Sequence, residues 1–378
     1  MVHGAMRRPP LTLPARGRLR PSALTFVSPQ SRDRVNDTVA HRKRTTIREV
    51  AELAGVSMAT VSRVVNSNGY VSAGTREVVE RVVRDHRYSA NRSARGLSAG
   101  RSGLIGVTLP MIHPAFFSVI VGGLADAVYE QDMRIVLCPT LLEHDRKVSL
   151  LERLTHGTID CALLVLPDES SSELLAVMEH GLRFVVIDPR KRLDRRVPTV
   201  ASAHYAGAEQ MMRHLTGLGH RRIAAITGPA GWIATDERLR AYREALDALG
   251  VRADADLVVE SNFDLDGGRE AGGRLLDLAE RPTAIFAFND PMAIGVIQAC
   301  LARGLRVPHD VSVVGFDDTD EALLVTPRLT TVRQPLAAMG RAAFDLVTRL
   351  LDDAALRTTR VELDTQLVVR DSAAPPPA

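Results

Sequence analysis

Residues 46–66 read TIREVAELAGVSMATVSRVVN, two short helical patterns separated by Ala54-Gly55-Val56. Thr46 followed by Glu49 fits a capping box at the first helix start, and Ser57 fits an N-cap at the second. Gly55 supplies the backbone freedom that a tight inter-helix turn needs. Behind it the second helix offers small or polar side chains at Ser57, Met58, Ala59, Ser62 and Arg63, where a helix entering a DNA groove needs them. The run is a helix-turn-helix signal.

Charge supports a division of labour along the chain. Residues 1–101 hold 19 basic and 7 acidic side chains, a net +12, against 29 and 38, a net −9, in the remainder. Such asymmetry points to a nucleic-acid-facing end and a separate, mildly acidic body. With 378 residues there is room for two or three domains. No uninterrupted apolar run approaches the roughly 20 residues of a membrane span, and the Arg- and Pro-rich start lacks the apolar segment of a signal peptide. The expected setting is cytoplasmic, without membrane contact. Three widely spaced cysteines, Cys138, Cys161 and Cys300, read as reduced core residues.

Five regions follow. Residues 1–43, with Pro9, Pro10, Pro14, Pro21 and Pro29 among many arginines, read as a disordered basic extension or an over-long gene start. Residues 44–90 carry helical patterns at 47–54, 57–65 and 74–86, with Val50, Leu53, Val61, Val64 and Val79 as their small core. Residues 91–101 form a linker with one short helical stretch. From 102 to 370, short apolar runs at 104–108, 134–138, 161–166, 184–188, 223–227, 284–288 and 311–316 read as strands, and helical patterns lie at 117–130, 203–217, 237–249 and 291–303. That alternation implies parallel sheets with helices on both faces, arranged as two similar lobes. Residues 371–378 read as a disordered tail.

The order helix-turn-helix, third helix, NRSARGL at 91–97, LIGV at 104–107, FNDPMAIG at 288–295, GLRVPHDVSVVGFDD at 304–318 and LTTVRQP at 329–335 resembles a LacI/GalR-type transcriptional regulator over about residues 45–370. The resemblance implies an all-α helix-turn-helix headpiece, a hinge helix, and an α/β two-lobed core of periplasmic-binding-protein type with parallel sheets. It implies a homodimer or homotetramer on pseudo-palindromic double-stranded operator DNA, and a small-molecule effector that switches operator affinity. By the same resemblance Met58, Ala59 and Arg63 face bases, and Ser57, Ser62 and Asn66 hold phosphates. Arg63 shares a helix face with Ala59, and its guanidinium suits guanine O6 and N7, worth about 1–3 kcal/mol of discrimination. Met58 and Ala59 suit contact with a thymine methyl.

Within NRSARGL, Asn91 belongs to the DNA-contacting set and Leu97 matches the side chain that wedges between base pairs in the minor groove. Ala94 allows close approach and Arg95 reaches groove or phosphates. Gly96-Leu97-Ser98-Ala99-Gly100 also satisfies G-x-S-x-G. A basic linker precedes it and a strand follows, the reverse of what a nucleophile elbow requires, so Ser98 is not read as a nucleophile.

In the body, Asp188, Asn289 and Asp317 follow strand patterns at the carboxyl ends where ligands of open parallel sheets bind, and Arg238 opens a helical pattern. The resemblance makes Arg238, Asn289 and Asp317 effector contacts, with Asp188 a weaker match, and Phe116, Phe117, Ile120 and Phe263 the apolar walls of the cleft. Such residues suit a sugar or polyol. Asp290, followed by Pro291, reads as a helix N-cap instead. Ala241 stands where the family usually has Gly. Metal-ligand spacing, a P-loop and a catalytic triad are missing from the pattern, so neither a cofactor nor an enzyme is expected. The expected function is a DNA-binding regulator, a repressor of carbohydrate uptake or catabolism genes. A sugar-binding module without a DNA role and a nucleobase-responsive regulator are the alternatives.

Overall fold

The computed structural model describes residues 45–65, 68–86, 88, 102–113, 115–140, 159–251, 254–353 and 360–377. The chain divides into two compact units, Met1–Ser89 and Ala90–Ala378.

In the first unit, α1 (Ile47–Ala54), α2 (Met58–Val65) and α3 (Ala73–Asp85) surround a core of Val50, Ala51, Val61, Val64 and Val79. Ile47, Val50, Ala51 and Ala54 follow the i, i+3, i+4, i+7 spacing of one helix face. Leu53 falls outside that stripe and is 55% exposed, so it is not the core residue its apolar side chain suggested.

The second unit contains a six-stranded and a four-stranded sheet, parallel throughout. The larger uses β1 (Leu104–Leu109), β2 (Arg134–Pro139), β3 (Cys161–Val165), β4 (Phe184–Ile187), β5 (Thr199–Ser202) and β11 (Arg360–Leu363), in the order β11-β5-β4-β3-β1-β2. Because strand side chains alternate, Ile105, Val107, Leu163, Val165, Val185 and Ile187 meet α4 (Ala115–Glu130) and α11 (Leu336–Asp352) on one face. Ala162, Leu164, Phe184 and Val186 meet Leu174 of α5 (Ser171–Glu179) on the other. The glycine at 340 permits the approach of α11 to α4: a Cβ there lies 2.2 Å from the Ile120 carbonyl oxygen.

The smaller sheet runs β7 (Val258–Glu260), β6 (Ile223–Thr227), β8 (Ala284–Ala287), β9 (Ser312–Val314). It shares one apolar core with α6 (His204–Gly217), α7 (Ile233–Asp247), α8 (Leu265–Leu276) and α9 (Asp290–Ala302). Helix α10 (Glu321–Leu324) and the antiparallel pair β10 (Thr331–Arg333) and β12 (Gln366–Val368) complete this lobe. The chain passes between the lobes at 202–204, 334–336 and 363–366, and the crossings are bonded together. Ala203 N–H donates to the Leu363 carbonyl at 2.9 Å, and Thr365 Oγ1 donates to the Ala203 carbonyl at 3.1 Å.

Residues 371–377 are not a disordered tail. Ser372 is fully buried; its carbonyl accepts Val313 N–H at 2.9 Å and its hydroxyl accepts Thr330 N–H at 2.8 Å. The Ala374 carbonyl accepts from His220 Nε2 at 2.8 Å and Ser312 Oγ at 3.0 Å. The segment satisfies the free edge of β9, a physical need that proline content conceals. None of the three cysteines forms a disulfide; Cys161 and Cys300 are buried, whereas Cys138, on edge strand β2, is only half-buried.

Candidate functional site

In the headpiece the capping box forms as the sequence predicts. Thr46 N–H donates to Glu49 Oε2 at 2.7 Å and Glu49 N–H to Thr46 Oγ1 at 3.3 Å. Gly55 adopts the left-handed conformation at φ 65°, and Ser57 Oγ accepts Thr60 N–H at 3.1 Å. Val61 and Val64 turn inward, leaving the opposite face of α2 to the proposed readers. Ser57, Met58, Ala59 and Arg63 are exposed and Ser62 is half-buried. Exposure of Met58 at 48% sets an apolar side chain in water on that face. The Arg63 stem lies along Gly69, where a Cβ would sit 3.6 Å from Cδ. Asn66, Asn91, Ala94, Arg95 and Leu97 lie outside the described residues.

In the core, Asp188, Arg238 and Asp317 come together at the junction of the lobes. Helix α7 begins at Ile233, so Arg238 lies in its second turn rather than opening it. Thr235, Arg238, Ala241 and Tyr242 form its buried face, and the Ala241 methyl is seated in the lobe core. The Arg238 guanidinium, 3% exposed, lies 3.6 Å over the Phe316 ring. It donates from Nη1 to the Phe288 carbonyl and from Nη2 to His204 Nδ1 at 3.1 Å. A guanidinium only donates, so Nδ1 accepts and the ring proton sits on Nε2, which donates to Asp188 Oδ1 at 2.8 Å. Burial lowers the Arg238 pKa from its ordinary value, and the carboxylates of Asp317, Asp188 and Asp290 oppose that shift.

Asp317 is 5% exposed, has φ 129°, and accepts from Gln334 Nε2 at 2.6 Å. Burial pushes its pKa up to about 7, against the opposing charge of Arg238 and the Gln334 hydrogen bond. The Gln334 carbonyl in turn accepts from Ser202 Oγ, joining two of the crossings. Asp290 is not the N-cap. Asn289 takes that place, its Oδ1 accepting Met292 N–H at 3.0 Å while Nδ2 donates to the Phe263 carbonyl at 2.8 Å. Asp290 instead turns inward, fully buried, accepting from Thr319 N–H at 3.1 Å and the Thr331 hydroxyl at 2.5 Å. Burial and then the Asp317 charge raise its pKa well above the carboxylate range.

The apolar walls separate into two kinds. Phe263, at φ 64°, packs its ring on Gly228 and against Trp232, with ring centroids 5.6 Å apart. Phe117 and Ile120 belong to the first lobe's core; of the three wall residues predicted on α4, Phe116 keeps partial exposure, edge-on to Phe117 at 5.3 Å. Helix periodicity explains this, since 117, 120 and 124 share the face that meets the sheet.

The sequence reading missed His204, Gln334, Ser202, Arg190 and Thr235. A His at the start of α6 and a Gln inside LTTVRQP carry no motif of their own, and only the crossings bring them to the cleft. Among the described residues, three buried donor atoms at this junction have no hydrogen-bond partner: Arg190 Nε, Thr235 Oγ1 and Arg238 Nε. Among the described residues, no helix is long and apolar enough to cross a membrane and no group of three His, Cys, Asp or Glu is placed to hold a metal ion.

Comparison with known proteins gives two family matches. Residues 46–91 match the bacterial regulatory proteins of the lacI family, and residues 212–373 match the periplasmic binding protein-like domain. The HTH-type transcriptional regulator DegA of Bacillus subtilis (strain 168) is 32% identical over 334 residues, 88% of this chain and 99% of the relative. A transcriptional regulator CelR–cellobiose complex is 34% identical, covering 87% of this chain and all of that one, with a TM-score of 0.67. The Lac repressor dimer bound to operator and the anti-inducer ONPF is 28% identical, covering 88% and 100%, with a TM-score of 0.79.

Proposed function

The chain belongs to the LacI family of bacterial regulatory proteins, non-enzymatic DNA-binding regulators, and from that premise we propose that it is a cytoplasmic repressor of carbohydrate uptake or catabolism genes, released from or recruited to its operator by a sugar. The observation that carries the ligand reading is the set of unpartnered buried donors on Arg190, Thr235 and Arg238. A buried donor without a partner costs about 1–3 kcal/mol, and a polyhydroxylated ligand supplies acceptors for all three. Asp188 and Asp317 offer acceptors to sugar hydroxyls, and the rings of Trp232 and Phe263 offer an apolar wall.

On DNA, Arg63 reads guanine, Met58 and Ala59 contact bases, and Ser57, Ser62 and Asn66 hold phosphates. Asn91, Ala94, Arg95 and Leu97 form the minor-groove element. A homodimer or homotetramer presents two such sets to a pseudo-palindrome. The effector acts by binding one arrangement of the core better than the other, since only differential affinity shifts an equilibrium.

The test is a thermal-shift panel of sugars, polyols and nucleobases, with cellobiose and ribose included, followed by operator binding with and without the hit. Stabilisation by a sugar together with changed operator affinity supports the proposal. Stabilisation by a nucleobase alone replaces the sugar by the nucleobase-responsive alternative. Sugar binding without any specific DNA site reduces the protein to a sugar-binding module.

A further inference from the structure

Trp232 is the sole tryptophan of the chain, and no motif assigns it a role. It is the N-cap residue of α7 but its side chain makes no capping hydrogen bond. Its indole lies beneath the guanidinium of Arg190, whose Cζ stands 4.3 Å from the ring centroid, while Phe263 packs against it at 5.6 Å. Arg190 follows β4 in one lobe, and Trp232 precedes α7 in the other. The backbone repeats the connection, for Ile233 N–H donates to the Arg190 carbonyl at 2.8 Å. Two residues beyond Arg190 and five beyond Trp232 lies a weaker tie, exposed Arg192 to Glu237 at 3.4 Å.

Arg190 is placed where only a strong reason holds a charge. It is 7% exposed, Nε has no hydrogen-bond partner, and Nη1 stands 4.0 Å from Asp168. A guanidinium is flat and weakly hydrated, so it tolerates stacking on an aromatic face better than an ammonium does. Exclusion of water strengthens the attraction between the cation and the ring.

We propose that Arg190 and Trp232 form an interlobe latch that positions Arg238. Helix α7 is continuous from Ile233 to Asp247, so fixing residues 232 and 233 to the first lobe fixes the guanidinium six residues beyond Trp232. Arg238 then meets His204, which reaches back to Asp188, two residues before Arg190. Segment 188–190 therefore grips α7 at both its first and its second turn. The latch is made from the protein's own side chains and is tested without any effector, so its failure is distinct from failure of the sugar reading.

The test uses the full chain and two local reporters, hydrogen exchange of the Ile233 amide and acrylamide quenching of Trp232 emission. Arg190→Met keeps the bulk and removes the cation. It should speed Ile233 exchange about tenfold through easier local opening and make Trp232 more quenchable, while peptides covering β6 and β8 keep wild-type protection. Arg190→Lys should restore part of both signals. Trp232→Leu removes the stack from the other lobe and should speed Ile233 exchange alike. Wild-type exchange at Ile233 in Arg190→Met and Trp232→Leu overturns the latch. So does loss of protection spread evenly through β6 and β8, which makes Arg190 a general packing residue.

Discussion

His204 Nε2 donates to Asp188 Oδ1 at 2.8 Å, tying the first turn of a helix in one lobe to the end of a strand in the other. Both residues are nearly inaccessible, with side chains 4% and 5% exposed, and the second ring nitrogen is occupied by Arg238. His204→Phe leaves a buried carboxylate oxygen and a buried N–H without partners. The expected result is a loss of stability of a few kcal/mol, about 1–3 for each orphaned group, together with loss of the effector response. Denaturant melts and operator binding in the presence of the sugar identified by the panel check both. Unchanged values for both refute a coupling role for this imidazole.

Thr235 gives the opposite sign for stability. Its hydroxyl is buried without a partner, and Thr235→Val replaces it by a methyl of similar shape. The variant should melt higher than wild type by up to a few degrees and bind the sugar less well, as expected for a donor kept for a ligand. Calorimetry and thermal melts measure the two halves. A variant that is stabilised and binds with undiminished affinity removes Thr235 from the site.

Asp317 makes stability fall as pH rises. Its folded pKa of about 7 lies above the ordinary 3.8 because burial disfavours the charge. The folded state therefore holds more protons than the unfolded state between those values. Stability is highest below the unfolded pKa and declines until pH passes about 7, by a few kcal/mol at most at ~1.4 kcal/mol per unit. Asp317→Asn should flatten this decline, giving a smaller difference in melting temperature between pH 5 and pH 8, and should abolish the effector response while sparing operator binding. A pH profile that matches wild type refutes the raised pKa.

Truncation after Arg370 tests the docked C-terminal segment. It strips partners from Val313 N–H, Thr330 N–H and His220 Nε2. Destabilisation of several kcal/mol is expected from three buried groups at about 1–3 kcal/mol each, read as a lower denaturant midpoint. An unchanged midpoint contradicts the docking.

The sequence was legible where function or capping imposes local rules. Thr46, Glu49, Gly55 and Ser57 announced their helices within a residue, and the apolar runs of β1, β3, β4, β6 and β8 announced buried parallel strands. Strands β5, β7, β10, β11 and β12 are three or four residues long and, unlike β4 and β8, carry no unbroken apolar run, so neither length nor pattern distinguishes them from loop. Asp188, Arg238 and Asp317 were found through strand ends and motif. Gln334 and His204 were not, because they reach the cleft through crossings that bring residues 132 positions apart into contact, as Ser202 and Gln334 show. The docked segment after 370 was hidden because its bonds run through backbone carbonyls and one serine hydroxyl, which composition does not reveal.

The most direct measurement is a footprint of the full-length protein on the DNA upstream of its own gene, titrated with salt and repeated with the sugar that stabilises the core. The account predicts protection of a pseudo-palindromic site, affinity that falls steeply with salt as phosphate contacts are lost, and a shift in occupancy on adding the sugar. It predicts further that Arg63→Ala keeps the fold and the salt dependence but loses about 1–3 kcal/mol of discrimination at one base pair in each half-site. Protection that is independent of sequence, or a specific footprint that the sugar leaves untouched, contradicts a ligand-switched operator-binding protein.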